Sequence, residues 1–227
     1  MSKPLPKLLA EYEMDKNIDR VCIEQKTEGQ AWKEWANQKA NLQGVPFFRR
    51  GIWRALHALG FKRYSWDLQF KAGVWSTDHY SPHLLHQVVL LSRGGNILEF
   101  GCGEGDLPKL LPPDSYANYL GIDISEVAIT RAQAKNPRCI FWACDMNRWK
   151  GSFPATLILL QECLYYLKPT QAEAFLKRCR TILEPGGSIL VVDHDRTKHA
   201  KTLDICRRFC RVKSENVIKG RTFLILG

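Results

Sequence analysis

The sequence predicts an α/β protein: a doubly wound, mostly parallel seven-stranded sheet, strand 7 antiparallel, with an N-terminal helical cap. Three observations predict it. From residue 93 onward short apolar runs alternate with helical stretches, the pattern of a parallel sheet covered on both faces. Two last apolar runs read as an antiparallel hairpin. Before residue 93 the periodicity is helical and rich in aromatics. The expected organisation is a helical cap and substrate lid over 1–92 and a sheet domain over 93–227.

In the cap, Trp32 and Trp35 lie three apart, and Phe48, Ile52, Leu56 and Leu59 follow one helical face. Gly60 is the stop for that helix. The stretch YSWDLQFKAGVWSTDHYSP mixes aromatics with turn residues and leads to a helix at His83–Leu91. After Gly94-Gly95 the first strand is NILEF (96–100), followed by a glycine-rich turn and a helix near Leu107–Leu111. YLGID (119–123) is the second strand, and Ser125 suits the N-cap of the next helix. CIFWA (139–143) and TLILLQ (156–161) are the third and fourth. A helix from Thr170 to Leu183 ends at Glu184-Pro185-Gly186-Gly187, before SILVVD (188–193). A helix near Lys201–Arg208 and the runs FCRVKS and RTFLIL complete the pattern.

Composition narrows the function classes. A 227-residue chain, 45% hydrophobic and 25% charged, is globular and large enough to bury a core without disulfides. No stretch approaches the roughly 20 apolar residues of a membrane span. The start, MSKPLPKLL, has no apolar h-region, so no secretion signal is expected. The eight cysteines form no CxxC pair and have no histidines at zinc-finger spacing, so no metal and a reducing, cytoplasmic compartment are expected. Net charge is +10, and residues 196–227 carry nine basic and two acidic side chains. Such a segment is either a solvated basic face or a surface for nucleic acid or another anionic partner.

The chemistry concentrates in ILEFGCGEG (97–105). Glycines at 101, 103 and 105 let the backbone turn tightly and approach a ligand, at the strand end where ligands of open parallel sheets bind. The spacing is GxGxG rather than the GxGxxG of dinucleotide sites. Glu99 stands two residues before the first glycine. A carboxylate there would repel a diphosphate but suits a ligand with an ammonium group.

ILEFGCGEG resembles motif I of the class I S-adenosylmethionine-dependent methyltransferases. YLGIDIS (119–125), ACDMN (143–147), TLILLQECLYYL (156–167) and LEPGGSILVVD (183–193) are similar to that family's later motifs, in order. The resemblance covers about residues 94–227 and implies a Rossmann-like sheet, S-adenosyl-L-methionine as cofactor and S-adenosyl-L-homocysteine as product. It implies that Glu99, Gly101, Cys102 and Gly103 hold the methionine end. Asp123 would accept from both ribose hydroxyls, Ile124 would pack on adenine, and Asp145 with the backbone at Met146 would read the adenine edge. Gln161 and Glu162 would face the sulfonium and the incoming nucleophile.

For an acceptor that keeps its proton at neutral pH, a general base is needed, and the strand-end candidates are Glu162, Asp193, His194 and Asp195. His194 has the suitable ordinary pKa, and its alternative role is that of a polar loop residue. Tyr165 or Tyr166 would face the acceptor, the other packing beneath the next helix. Tyr80 lies where related small-molecule enzymes close over the cofactor, and it joins Glu162 and His194 as a catalytic candidate. LYYL resembles small-molecule N-methyltransferases such as the nodulation amino-sugar enzymes. The expected function is methyl transfer to nitrogen or oxygen of a small molecule in specialised metabolism. The alternative is RNA methylation through the basic C-terminal segment, against which there is no RNP1-like or KH signature.

Overall fold

The computed structural model describes residues 46–73, 75 and 80–227. Trp32, Trp35 and the rest of the cap through residue 45 lie outside the described residues. Two compact units are present, one running through Trp75 and one from Ser76.

The first unit contains α1 (Pro46–Ala58) and α2 (Lys62–Lys71). Leu56 and Leu68 are its buried centre, with Ile52, Trp53, Phe61 and Tyr64 packed around them. The Ser65 hydroxyl donates to the Trp53 carbonyl at 3.1 Å and ties the helices together. Gly60, at φ 89°, ends the turn after α1 as its sequence position predicts. Leu59 departs from expectation: it falls beyond the helix and is 65% exposed.

The second unit begins with α3 (Pro82–Ser92), capped by the Ser81 hydroxyl, which accepts from the Leu84 N–H. This helix was expected in the cap, but its fully buried Leu84 and Val88 belong to the sheet's apolar cluster. The strands are β1 (Asn96–Phe100), β2 (Asn118–Asp123), β3 (Ile140–Ala143), β4 (Ala155–Gln161), β5 (Leu183–Asp193), β6 (Val212–Ile218) and β7 (Arg221–Leu226). Between them lie α4 (Leu107–Leu110), α5 (Glu126–Lys135), a 3₁₀ turn (Leu164–Tyr166), α6 (Pro169–Ile182) and α7 (Ala200–Phe209).

The strand order is β3-β2-β1-β4-β5-β7-β6, parallel through β5, with β7 antiparallel to both neighbours. Side chains alternate across the sheet. Ile97, Leu157, Leu159, Leu190, Val192 and Phe223 share one cluster with α3. On the other face Phe100 meets Phe175 of α6 and Trp149 edge-on, at 4.8 and 5.4 Å between centroids. Each buried aliphatic side chain is worth about 1.5–3 kcal/mol relative to exposure, which is why these strands read as continuous apolar runs.

Two boundaries differ from the sequence reading. Glu184-Pro185-Gly186-Gly187 is drawn into β5 rather than forming a separate turn. An irregular register opposite Ala155–Leu157 and Gly186 at φ 78° absorb the misfit. The last hairpin turns at Lys219-Gly220, with φ 48° and 79°, the left-handed pair that a two-residue hairpin loop requires. Strand β6 therefore starts at Val212, after the buried Cys210 has closed α7.

Candidate active site

The strand order reverses between β1 and β4, so the loops leaving β1 and β4 diverge and open a crevice at their carboxyl ends. The loop from β1 carries Gly101, Gly103 and Gly105 at φ 74°, 53° and 68°. Left-handed backbone at three alternate positions explains the glycine spacing. Space explains it as well: a Cβ at Gly101 would stand 2.9 Å from Cys163 Cβ, and one at Gly105 would stand 2.8 Å from both Ala132 and the Phe141 ring.

Asp123, at the end of β2, is buried and anchored at both oxygens. The Gly103 N–H donates to Oδ2 at 3.0 Å and the Ser125 N–H to Oδ1 at 2.9 Å. Glu99, 1% exposed, accepts from the Tyr119 hydroxyl and from Tyr80. Burial is the main cause that pushes its carboxyl up to about 7. The Tyr119 bond opposes this, the Asp123 charge adds to it, and the Tyr80 bond opposes it again. Tyr80, a catalytic candidate on sequence, is thus bonded to Glu99. Its own phenol is driven well up by burial and by the Glu99 charge. Cys102 turns its side chain into the core, leaving its main chain to the glycine turn, where its N–H donates to the Ile122 carbonyl. Ile124 is half-buried beside Asp123.

After β3, Asp145 organises its own loop: its Oδ1 accepts the Asn147 N–H at 2.8 Å, and its carbonyl accepts from Arg148 and Trp149. Met146 follows, half-buried.

At the ends of β4 and β5 a second group gathers. Gln161 is buried. Glu162 takes a left-handed φ of 51°, and its N–H donates to the Val192 carbonyl, locking the loop onto β5. Its Oε2 lies 2.5 Å from His194 Nδ1 and accepts from the Tyr165 hydroxyl at 3.4 Å. Its Oε1 is buried with no hydrogen-bond partner among the described residues. The Tyr165 ring stacks on His199, 3.8 Å between centroids and 16° from parallel. His199 Nδ1 lies 2.9 and 3.0 Å from the two oxygens of buried Asp193. Asp195 donates its N–H to Asp193, and Tyr166 points outward, 38% exposed. Ligand-type atoms of Asp193, His194 and His199 lie within 4.8 Å of one another, the only group at metal-ligand spacing among the described residues.

The structure thus gathers two sets of expected residues: Glu99, Gly101, Gly103, Asp123 and Tyr80 in one, and Glu162, His194 and Tyr165 in the other. His199 was missed. It stands six residues past Asp193 in a polar stretch with no periodicity, and only the turn into α7 brings it back.

The doubly wound seven-stranded sheet with β7 antiparallel, the glycine turn at the switch point and the acids at the ends of β1 and β2 are the features that the resemblance to the class I S-adenosylmethionine-dependent methyltransferases implied. Residues 97–187 match the family described as "Methyltransferase domain". Among curated proteins, the chain is similar to the trans-aconitate 2-methyltransferase of Yersinia pestis (strain Pestoides F). The two are 36% identical over 74 residues, 31% of this chain and 28% of that protein. It is also similar to the carboxy-S-adenosyl-L-methionine synthase of Helicobacter hepaticus, at 28% over 107 residues and 44% of each chain. The aligned segments therefore span less than half the length of these relatives. Among solved structures, the N-methyltransferase NodS from Bradyrhizobium japonicum WM9, in complex with S-adenosyl-L-homocysteine, superposes with a TM-score of 0.55. Identity is 20%, over 64% of this chain and 87% of that one, a likeness of fold.

Proposed function

We propose that the protein transfers a methyl group from S-adenosyl-L-methionine to a nitrogen or oxygen of a small-molecule acceptor, in specialised metabolism. The observation that carries this reading is the grouping, at the carboxyl ends of β1 and β2, of a doubly anchored Asp123, a buried Glu99 and a turn of alternate glycines. These residues fit the cofactor. Asp123 is a buried carboxylate at a strand end, the kind of group that would accept from two ribose hydroxyls. Glu99 offers a carboxylate to an ammonium group, and the bare backbone of Gly101–Gly103 allows close approach. Ile124 packs on adenine, and Asp145 with Met146 reads its edge.

The bound cofactor supplies a methyl group already activated by a positive sulfur. The chain's own work is to orient the acceptor, exclude water and accept a proton where the acceptor still holds one; orientation alone is worth up to about 7–11 kcal/mol. Glu162, with His194 against it and Gln161 beside it, takes that proton. Tyr165 faces the acceptor, and Tyr80 steadies Glu99. The name of the trans-aconitate relatives supports a small-molecule acceptor. The seven described cysteines are buried free thiols, which agrees with a reducing cytoplasm.

The basic C-terminal segment spends part of its charge inside the fold, which weakens the RNA alternative. Arg207 grips both oxygens of Glu215 at 3.0 and 2.7 Å, and Lys213 donates to the Gly187 carbonyl at 2.6 Å. The test is calorimetric binding of S-adenosylhomocysteine, followed by labelled S-adenosylmethionine offered to separated metabolite and RNA pools. Label in a small metabolite is the expected result. Label only in RNA favours the alternative, and absence of binding overturns the reading.

A further inference from the structure

The loop after β3 has a support outside it. The Asn147 N–H that anchors Asp145 Oδ1 belongs to the peptide between Met146 and Asn147, and the carbonyl of that same peptide accepts from Arg178 Nη2 at 3.3 Å. The same nitrogen donates to the Asn147 carbonyl at 3.0 Å. Arg178 projects from α6, and its guanidinium stands 5.6 Å from the Phe175 ring centroid. Phe175 packs edge-on against Phe100, and Phe100 against Trp149, at the far end of the loop. A single unbroken path therefore runs from a cation, through one peptide plane, to a carboxylate. A carbonyl that accepts from a cation polarises its peptide and strengthens the N–H at the other end.

We propose that Arg178 is a positioning residue for adenine recognition. Through the Met146–Asn147 peptide it holds the Asp145 carboxylate by Oδ1, leaving Oδ2 to accept from the exocyclic amino group of adenine. This rests on the reading that Asp145 meets adenine. Arg178 itself touches no part of the cofactor in this scheme; its influence passes through the loop.

The test compares S-adenosylhomocysteine with S-inosylhomocysteine, which carries an oxo group in place of the adenine amino group, by calorimetry on the full chain. The wild type should prefer the adenine ligand by at least about tenfold, the scale of a lost hydrogen bond in a site built to make it. Arg178→Met, which keeps the stem but no donor, should shrink that preference to about twofold by weakening the adenine ligand alone. Arg178→Lys should recover part of it, because an ammonium still donates to these carbonyls. An Arg178→Met protein with the wild-type preference overturns the proposal. So does one that binds both ligands more weakly in equal measure, since that marks a merely structural role. Asp145→Asn separates the two levels: if it leaves the preference untouched, the placement of adenine at Asp145 fails, whatever Arg178 does.

Discussion

Asp123 is the side chain on which the cofactor reading leans most. Asp123→Asn keeps the size but removes the charge and one acceptor, so the affinity for S-adenosylhomocysteine should fall by about ten- to a hundredfold, the worth of a hydrogen bond to a charged group. Calorimetry checks it. Glu99 makes a prediction in pH. With its carboxyl at about 7 against an ordinary 4.5, the folded protein holds this proton more tightly than the unfolded chain. Its contribution to stability is therefore present at low pH and is lost as pH rises from about 4.5 to about 7. A ligand ammonium favours the ionised form, so S-adenosylhomocysteine binding should expel a proton below pH 7. Affinity should then climb by up to about tenfold per unit toward pH 7 and level off above it. Glu99→Gln should flatten this profile. Both acids were legible as strand-end carboxylates flanking a glycine turn. The bond from Tyr80 to Glu99 and the stack of Tyr165 on His199 were not, because they join residues whose separation in sequence carries no period.

Strands and helices were the most legible level. A buried parallel strand must be apolar on both faces, and β1, β2, β4 and the core of β5 announce themselves that way. What escaped was decided by partners: β5 takes in Glu184-Pro185-Gly186-Gly187 because Leu183 pairs with Ala155, and α3 joins the sheet because Leu84 and Val88 fill its cluster. The β1–α4 turn gives a prediction at this scale. Gly105→Ala would force a side chain into left-handed backbone against Ala132 and Phe141. The expected loss is about 2–4 kcal/mol from strain and overpacking, read as a lower midpoint in denaturant and as weaker cofactor binding from a distorted turn.

At the scale of the whole molecule, the two units invite separate tests. If the cap forms the acceptor pocket, deleting residues 1–40 should spare S-adenosylhomocysteine binding and abolish turnover. Normal turnover by the shortened protein would refute the lid. For a small acceptor, turnover should vary little with salt. Phosphate-driven binding would instead lose about one log unit of affinity per log unit of salt for each contact.

The position of β7 has a consequence for how the sheet is completed. It lies between β5 and β6 in space yet follows both in the chain. While the polypeptide emerges, β6 appears before the strand it must pair with, and the edge of β5 stays bare. Any message or proteolytic event that interrupts the chain between Ile218 and Arg221 would leave that edge as a template for other chains. Such fragments should aggregate rather than persist as a smaller working domain, which light scattering on a chain ending at Lys219 would check.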